Sequence, residues 1–200
     1  MIELTPERFA EQIGFLLEMD KMKNIYRQSY VLHEDRHEND AEHAWHLAML
    51  AIVLHEYANE PVDLKTVLET VLIHDVVEID AGDTYAYDDA GNATKAEREQ
   101  KAADRLFGLL PADQGAHLRQ LWEDFEAKST PEARFANALD RIQPLMLNFE
   151  KGGISWKQHQ TKKSQVEGRM QALSEGSEKL GALAKAIIEK AAESGLLRNE

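Results

Sequence analysis

The stretch "ENDAEHAWHLAMLAIVLHEYA", residues 38–58, reads as the start and body of one α-helix. Asn39 is a good N-cap, Glu42 stands three residues on as in a capping box, and Leu47, Leu50 and Leu54 follow at helical spacing. The same punctuation recurs on both sides, with no convincing strand between. Thr5-Pro6-Glu7 is an N-cap, an N1 proline and a first-turn acid ahead of Phe9, Ile13, Leu16 and Leu17. A helix runs from about Asp63 through Val67, Val71 and His74; Thr94 with Glu97 repeats the capping signature; Pro111 opens another helix through Trp122 and Phe125. Thr130-Pro131 begins one striped by Phe135, Leu139, Ile142, Met146 and Phe149, and Gly152-Gly153 ends it. The tail from about Thr161 to Leu197 holds one or two amphipathic helices. The expected architecture is all-α, a single domain over residues 1–200 with about seven or eight helices. Residues 25–38 and 79–93 read as loops.

Composition narrows the function. A formal charge of −13 argues against a general nucleic-acid binder, which needs Lys and Arg to neutralise phosphates. The longest apolar runs, such as Leu47 to Leu54, are too short to span a bilayer, and the N-terminus lacks a signal-peptide pattern, so a cytoplasmic protein is expected. There is no cysteine, so any metal must be held by His, Asp and Glu.

The chemistry concentrates in "LIHDVVEIDAGD", residues 72–83, where His74, Asp75 and Glu78 follow an apolar run. Unpaired charge there would be costly. On a helix all three border one cavity: an imidazole and a carboxylate suit a divalent metal, and a carboxylate one turn on can handle the proton of an activated water. His43 is the best third ligand and Asp140, beside Leu139 in an apolar helix, the best fourth. Pro144 should loosen the turn at the Asp140 carbonyl. The bland alternatives are a satisfied core histidine at position 74 and simple pairing of Asp140 with Arg141 or Arg134.

"ENDAEH", "HDVVEIDAGD" and "ANALDRIQPLMLNFEKGG" resemble the three motif blocks of HD-domain phosphohydrolases, specifically the YfbR-like 5'-deoxynucleotidase group, over about residues 13–160. The resemblance implies that His43, His74, Asp75 and Asp140 are metal ligands, that Glu78 is the catalytic carboxylate and that Asp83 contacts the deoxyribose. It places Arg27 and Arg36 in the segment that contacts phosphate. The aromatic expected after the first arginine is replaced by "RQSY", which leaves that role to Tyr30. Only His117 lies between the His-Asp pair and Asp140, which implies one divalent ion: Mn, Co, Fe, Ni, Zn or Mg. The implied activity is hydrolysis of (deoxy)nucleoside 5'-monophosphates, and the implied assembly is a homodimer. The competing readings are hydrolysis of a pyrophosphorylated or cyclic nucleotide, and nucleotide binding without turnover.

Overall fold

The computed structural model describes residues 7–82 and 94–198. Helix α1 (Glu7–Met19) and a 3-10 turn (Asp20–Asn24) lead into strand β1 (Tyr26–Tyr30), which pairs antiparallel with β2 (His37–Asn39). Helices α2 (Asp40–Leu54) and α3 (Leu64–Ile73) follow, then a one-turn α4 (Glu78–Ala81). Beyond the 83–93 segment come α5 (Lys95–Phe107), α6 (Ala112–Ala127) and α7 (Pro131–Glu150). The tail folds as α8 (Ile154–Gln158), α9 (Lys163–Met170), α10 (Leu173–Gly176) and α11 (Glu178–Glu193). Eight of these helices have eight residues or more. Among the described residues the only strands are those of this small hairpin, which falls where the sequence reads as a loop. Its first strand, "YRQSY", is polar on both faces and so carries no alternation of apolar residues.

Local signals explain most helix ends. Asn39 and Glu42 form a reciprocal capping box, Asp63 accepts from the Thr66 amide, and Thr130 accepts from the Ala133 amide ahead of Pro131. The Thr94 cap is not formed: α5 starts at Lys95 without a side-chain cap bond. The 5–6 part of the N-terminal cap lies outside the described residues. Pro144 does not interrupt α7, which is continuous from Pro131 to Glu150, against the loosened turn its position suggested.

Two apolar clusters hold the site between them. In the larger, Leu47 and Ala51 of α2, Val67 and Val71 of α3, and Phe135, Leu139 and Ile142 of α7 are buried together with Leu180, Ala184 and Ile188 of α11. The C-terminal helix therefore completes the core. Gly176 lets α10 lie directly on α7, since a Cβ there would meet the Arg134 carbonyl oxygen at 2.2 Å. The second cluster packs Ile73, Val76 and Val77 against Leu106, Phe107, Leu121 and Trp122 of α5 and α6. Within the run ahead of His74, Val71 and Ile73 are buried, but Leu72 is 49% exposed and anchors nothing.

Candidate metal centre and cavity

The segment His74–Val77 is not a continuation of α3. The amide of His74 still bonds to the Thr70 carbonyl, but Val76 bonds to Ile73 and Glu78 to Asp75 (2.9 Å), three residues back. The chain tightens to 3-10 geometry, in which residues three apart eclipse. Asp75 and Glu78 are thereby brought to one side more directly than an α-helix would bring them. Helices α2 and α7 supply the opposing groups, His43 from the first turn of α2 and Asp140 from the middle of α7.

Four side chains converge. His43 Nε2 lies 3.1 Å from Asp140 Oδ1 and 3.8 Å from Asp75 Oδ2; His74 Nε2 lies 3.1 Å from Asp75 Oδ2 and 3.7 Å from Asp140 Oδ1. All four are buried or nearly so: His43 is fully enclosed and His74 and Asp75 are no more than 9% exposed. Burial works against the imidazolium of His74, but Asp75 and Asp140 outweigh it and raise its pKa well above the ordinary histidine value. Burial likewise disfavours the Asp140 carboxylate, and the two histidines overcome it and hold its pKa well below the usual range. The electrostatics thus demand positive charge at this point.

The far side of each imidazole fixes which nitrogen is left over. His74 Nδ1 lies 2.9 Å from the Val71 carbonyl, which can only accept, so Nδ1 carries the proton. His43 Nδ1 lies 3.1 Å from Gln143 Oε1. The direction of that bond is set one step further out, because Gln143 Nε2 donates to the buried Glu38 carboxylate at 2.7 Å and must therefore turn its carbonyl to His43. Ser29 donates to the other Glu38 oxygen at 3.1 Å, and Gln143 Nε2 also reaches His46 Nδ1 at 3.1 Å. That leaves both Nε2 atoms turned toward Asp75 and Asp140, the orientation metal-binding histidines receive from their outer partners. His74 Nε2 is a buried nitrogen without a hydrogen bond, despite its closeness to Asp75. A pair of imidazole nitrogens and a pair of carboxylates arranged in this way fit a divalent cation.

The centre opens into a cavity of about 310 Å³. Glu78, 5% exposed, lines it beside Asp75 and Asp140, as does Arg27. Arg27 does not reach outward for a ligand here: its Nη1 donates to Asp75 Oδ2 at 2.6 Å and Asp40 Oδ1 at 3.2 Å. Burial works against this guanidinium, and Asp75, Glu78 and Asp140 raise its pKa well above the usual value.

Arg36 and Tyr30, expected at the substrate, stand outside the cavity. The strand alternation turns Arg27 and Ser29 inward and Tyr30 away; the Tyr30 hydroxyl accepts from Gln158 Nε2 at 3.0 Å and its ring lies on His37. Arg36 is held in a two-bond ion pair with Glu42, at 2.6 and 2.8 Å, and a third bond to Glu34. Asp83 lies outside the described residues. His117 pairs with Glu69 at 2.9 Å, far from the ligands in role, and Asp80 bridges α4 to Arg105 of α5. Lys95 does line the cavity, 3.3 Å from Glu99.

Several cavity and support residues escape a sequence reading. Gln143 carries the clearest signal, a buried amide inside the α7 stripe, one turn beyond Asp140. Glu38 and Asp40 flank an obvious N-cap and pass for ordinary acids at a helix start. Glu99, Glu126, Lys128, Asn137, Arg141 and Arg169 also line the cavity, and nothing in their spacing distinguishes them from solvated charge. Burial raises the carboxyl pKa of both Glu99 and Glu126, against the opposing pull of Lys95.

A family model of the HD domain matches residues 19–181. The 5'-deoxynucleotidase of Bos taurus is 29% identical over 135 residues, 67% of this chain and 64% of that protein. The human 5'-deoxynucleotidase is 28% identical over 135 residues, 67% and 65% of the two chains. This chain thus spans a little under two thirds of the length of these relatives. A crystal structure of a predicted metal-dependent phosphohydrolase from Magnetospirillum magnetotacticum MS-1 superposes with a TM-score of 0.93 at 48% identity, over 99% of this chain and 100% of that one. An HD-domain phosphohydrolase of Listeria innocua, 18% identical with a TM-score of 0.59 over 91% and 86% of the two chains, shares the fold.

Proposed function

This chain belongs to the HD domain family, and from that premise we propose that it is a metal-dependent phosphohydrolase acting on (deoxy)nucleoside 5'-monophosphates. The observation that carries the reading is the convergence of His74, Asp75, Asp140 and Glu78 on one cavity, with His43 Nε2 3.1 Å from Asp140. His43, His74, Asp75 and Asp140 would hold one divalent ion, which when bound supplies Lewis acidity toward phosphoryl oxygens and water. Glu78 takes the proton as water attacks phosphorus, and delivers it to the nucleoside oxygen as the P–O bond breaks. Its burial beside the two ligand carboxylates suits a group that works on water rather than on the ion. Arg27 is assigned a phosphate contact on the family resemblance alone, its Nη1 being already bonded to Asp75 and Asp40. Asp83 is assigned the sugar contact on the family resemblance, and no such role is proposed for Arg36 or Tyr30 in view of their partners.

Charge supports a phosphate monoester. Five acids and five bases line the cavity, so with neutral histidines a divalent ion leaves it two positive, and a phosphate monoester carries about two negative charges at neutral pH. Metal-stripped protein reloaded with each divalent ion and offered deoxy- and ribonucleoside monophosphates should release phosphate. No release from any monophosphate with any metal overturns the reading.

The same proposal takes residues 1–200 as one domain of a cytoplasmic homodimer that binds neither membrane nor nucleic acid. No helix among the described residues is long and apolar enough to cross a membrane. Trp45, Met49, Ile52 and Val53 leave an apolar face of α2 exposed, Trp45 by 65%, which is the kind of surface a second copy covers. Sedimentation of the wild type against Trp45→Glu tests the assembly.

A further inference from the structure

The cavity is lined by two unlike sets of cations. On the ligand side every cation is spoken for: Arg27 by Asp75 and Asp40, and Lys95 by Glu99. The same cavity is also lined by Lys128, Arg141 and Arg169. None of these three forms an ion pair among the described residues. Asp140, Glu175 and Glu126 act on Arg141 only at a distance, and Arg169 repels it.

The wall is nevertheless built. Arg141 follows Asp140 on α7, and its Nη1 donates to the main-chain carbonyl of Arg169, which braces the guanidinium against α9. Lys128 ends α6 in the left-handed conformation, φ +52°, and its amide bonds back to the Asp124 and Phe125 carbonyls. All three residues are half-buried. Like charges gathered at one cavity wall, in a protein of net charge −13, gain most from an anion placed between them.

We propose that Lys128, Arg141 and Arg169 form an anion-binding wall that grips the substrate phosphate and the inorganic phosphate left after cleavage. The proposal rests on the phosphohydrolase reading for its ligand class, a phosphate monoester dianion, and adds the residues that hold it. Arginine is suited to this task because its planar fork can meet two phosphate oxygens at once. It also gives the C-terminal helices a part in substrate binding, since Arg169 lies on α9, beyond the blocks that carry the metal ligands.

The decisive variant is Arg169→Met. It removes the guanidinium but keeps the carbonyl that Arg141 uses, so the brace survives; Arg141→Met is the second variant and Lys128→Gln the third. Binding of inorganic phosphate to the metal-loaded protein is measured by calorimetry, beside KM and kcat for a deoxynucleoside monophosphate and metal affinity by chelator competition. Phosphate binding should weaken roughly tenfold or more in each arginine variant. KM should rise in step, with metal affinity unchanged and kcat less affected. Wild-type phosphate affinity in both arginine variants overturns the wall, and so does a wild type that turns over but binds no phosphate. Phosphate binding that depends on Arg169, in a protein that cleaves no monophosphate, upholds the wall and overturns the phosphohydrolase reading instead.

Discussion

The two walls of the cavity differ in how their charge is held. At the proposed metal centre, His43, His74 and Asp75 sit almost without solvent, the imidazoles fixed from behind by Gln143 and the Val71 carbonyl. Elsewhere in the lining, Lys128, Arg141 and Arg169 keep contact with water and lack ion-pair partners among the described residues. A buried charge must be satisfied before the ligand arrives, whereas a half-exposed one can wait for it. That is why one wall is suited to a resident ion and the other to a substrate that comes and goes.

The contrast can be broken experimentally, starting with the ligand wall. His74→Ala should abolish stable metal binding, and turnover with it, because it removes one of two nitrogen donors; full metal occupancy by mass spectrometry would sink the ligand assignment. Glu78→Gln should lower kcat by about 10² to 10⁴-fold with the metal retained. Loss of the ion in that variant would instead make Glu78 a ligand. Gln143→Leu should weaken metal affinity by roughly 10- to 100-fold, since the His43 proton on Nδ1 would lose its 3.1 Å acceptor and keep only the more distant Glu38. An unchanged affinity would show that the Glu38–Gln143 bond has no influence on the centre.

pH separates the walls more gently. The folded-state pKa values of His43 and His74 are raised, against burial, by Asp140, Glu38 and Asp75. In metal-free protein that stabilisation is fully present below the unfolded histidine pKa of about 6.5 and is lost as pH climbs through the raised folded values. The Asp75 and Asp140 carboxylates are shifted the other way, so their contribution is present above about pH 4 and lost in acid. Stripped protein should therefore unfold at lower denaturant as pH rises from about 6 to 9, while metal-loaded protein should not, because the ion replaces the protons. Parallel pH dependences with and without metal would show that the imidazoles are not where the ion binds. The smallest effect belongs to Glu126→Gln, which should tighten phosphate binding only severalfold, as the carboxylate is partly exposed and burial already raises its pKa against the pull of Lys95.

Legibility followed chemistry rather than position. Asp140 and His74 could be read because a carboxylate or imidazole beside a Leu or Ile run contradicts the pattern around it. Gln143 breaks the same α7 stripe and was open to the same argument, but an amide invites less suspicion than a charge. The β1–β2 hairpin was missed because "YRQSY" is polar on both faces: its inward side meets the Glu38 and Asp75 network rather than a greasy core. Arg36 was drawn to the site by its place in the chain, yet the nearest carboxylate to its fork is Glu42, a capping residue, and that short-range pair wins.

By itself the sequence determined the helical class, the capped starts of α2 and α7, and the His and Asp residues proposed to hold a cation, because periodicity, caps and misplaced charge are local signals. The tertiary structure alone decided the rest. The 3-10 turn at His74–Val77 arises where α3 meets the cluster of Val76, Val77, Leu106 and Trp122, a meeting no local pattern records. The Glu38–Gln143–His43 chain spans 105 residues of sequence and exists only because α2 and α7 lie side by side. Likewise, Lys128, Arg141 and Arg169 become one wall only when α6, α7 and α9 close around the same space. Charges on separate helices have no relation in sequence, and packing is what brings them to a common site.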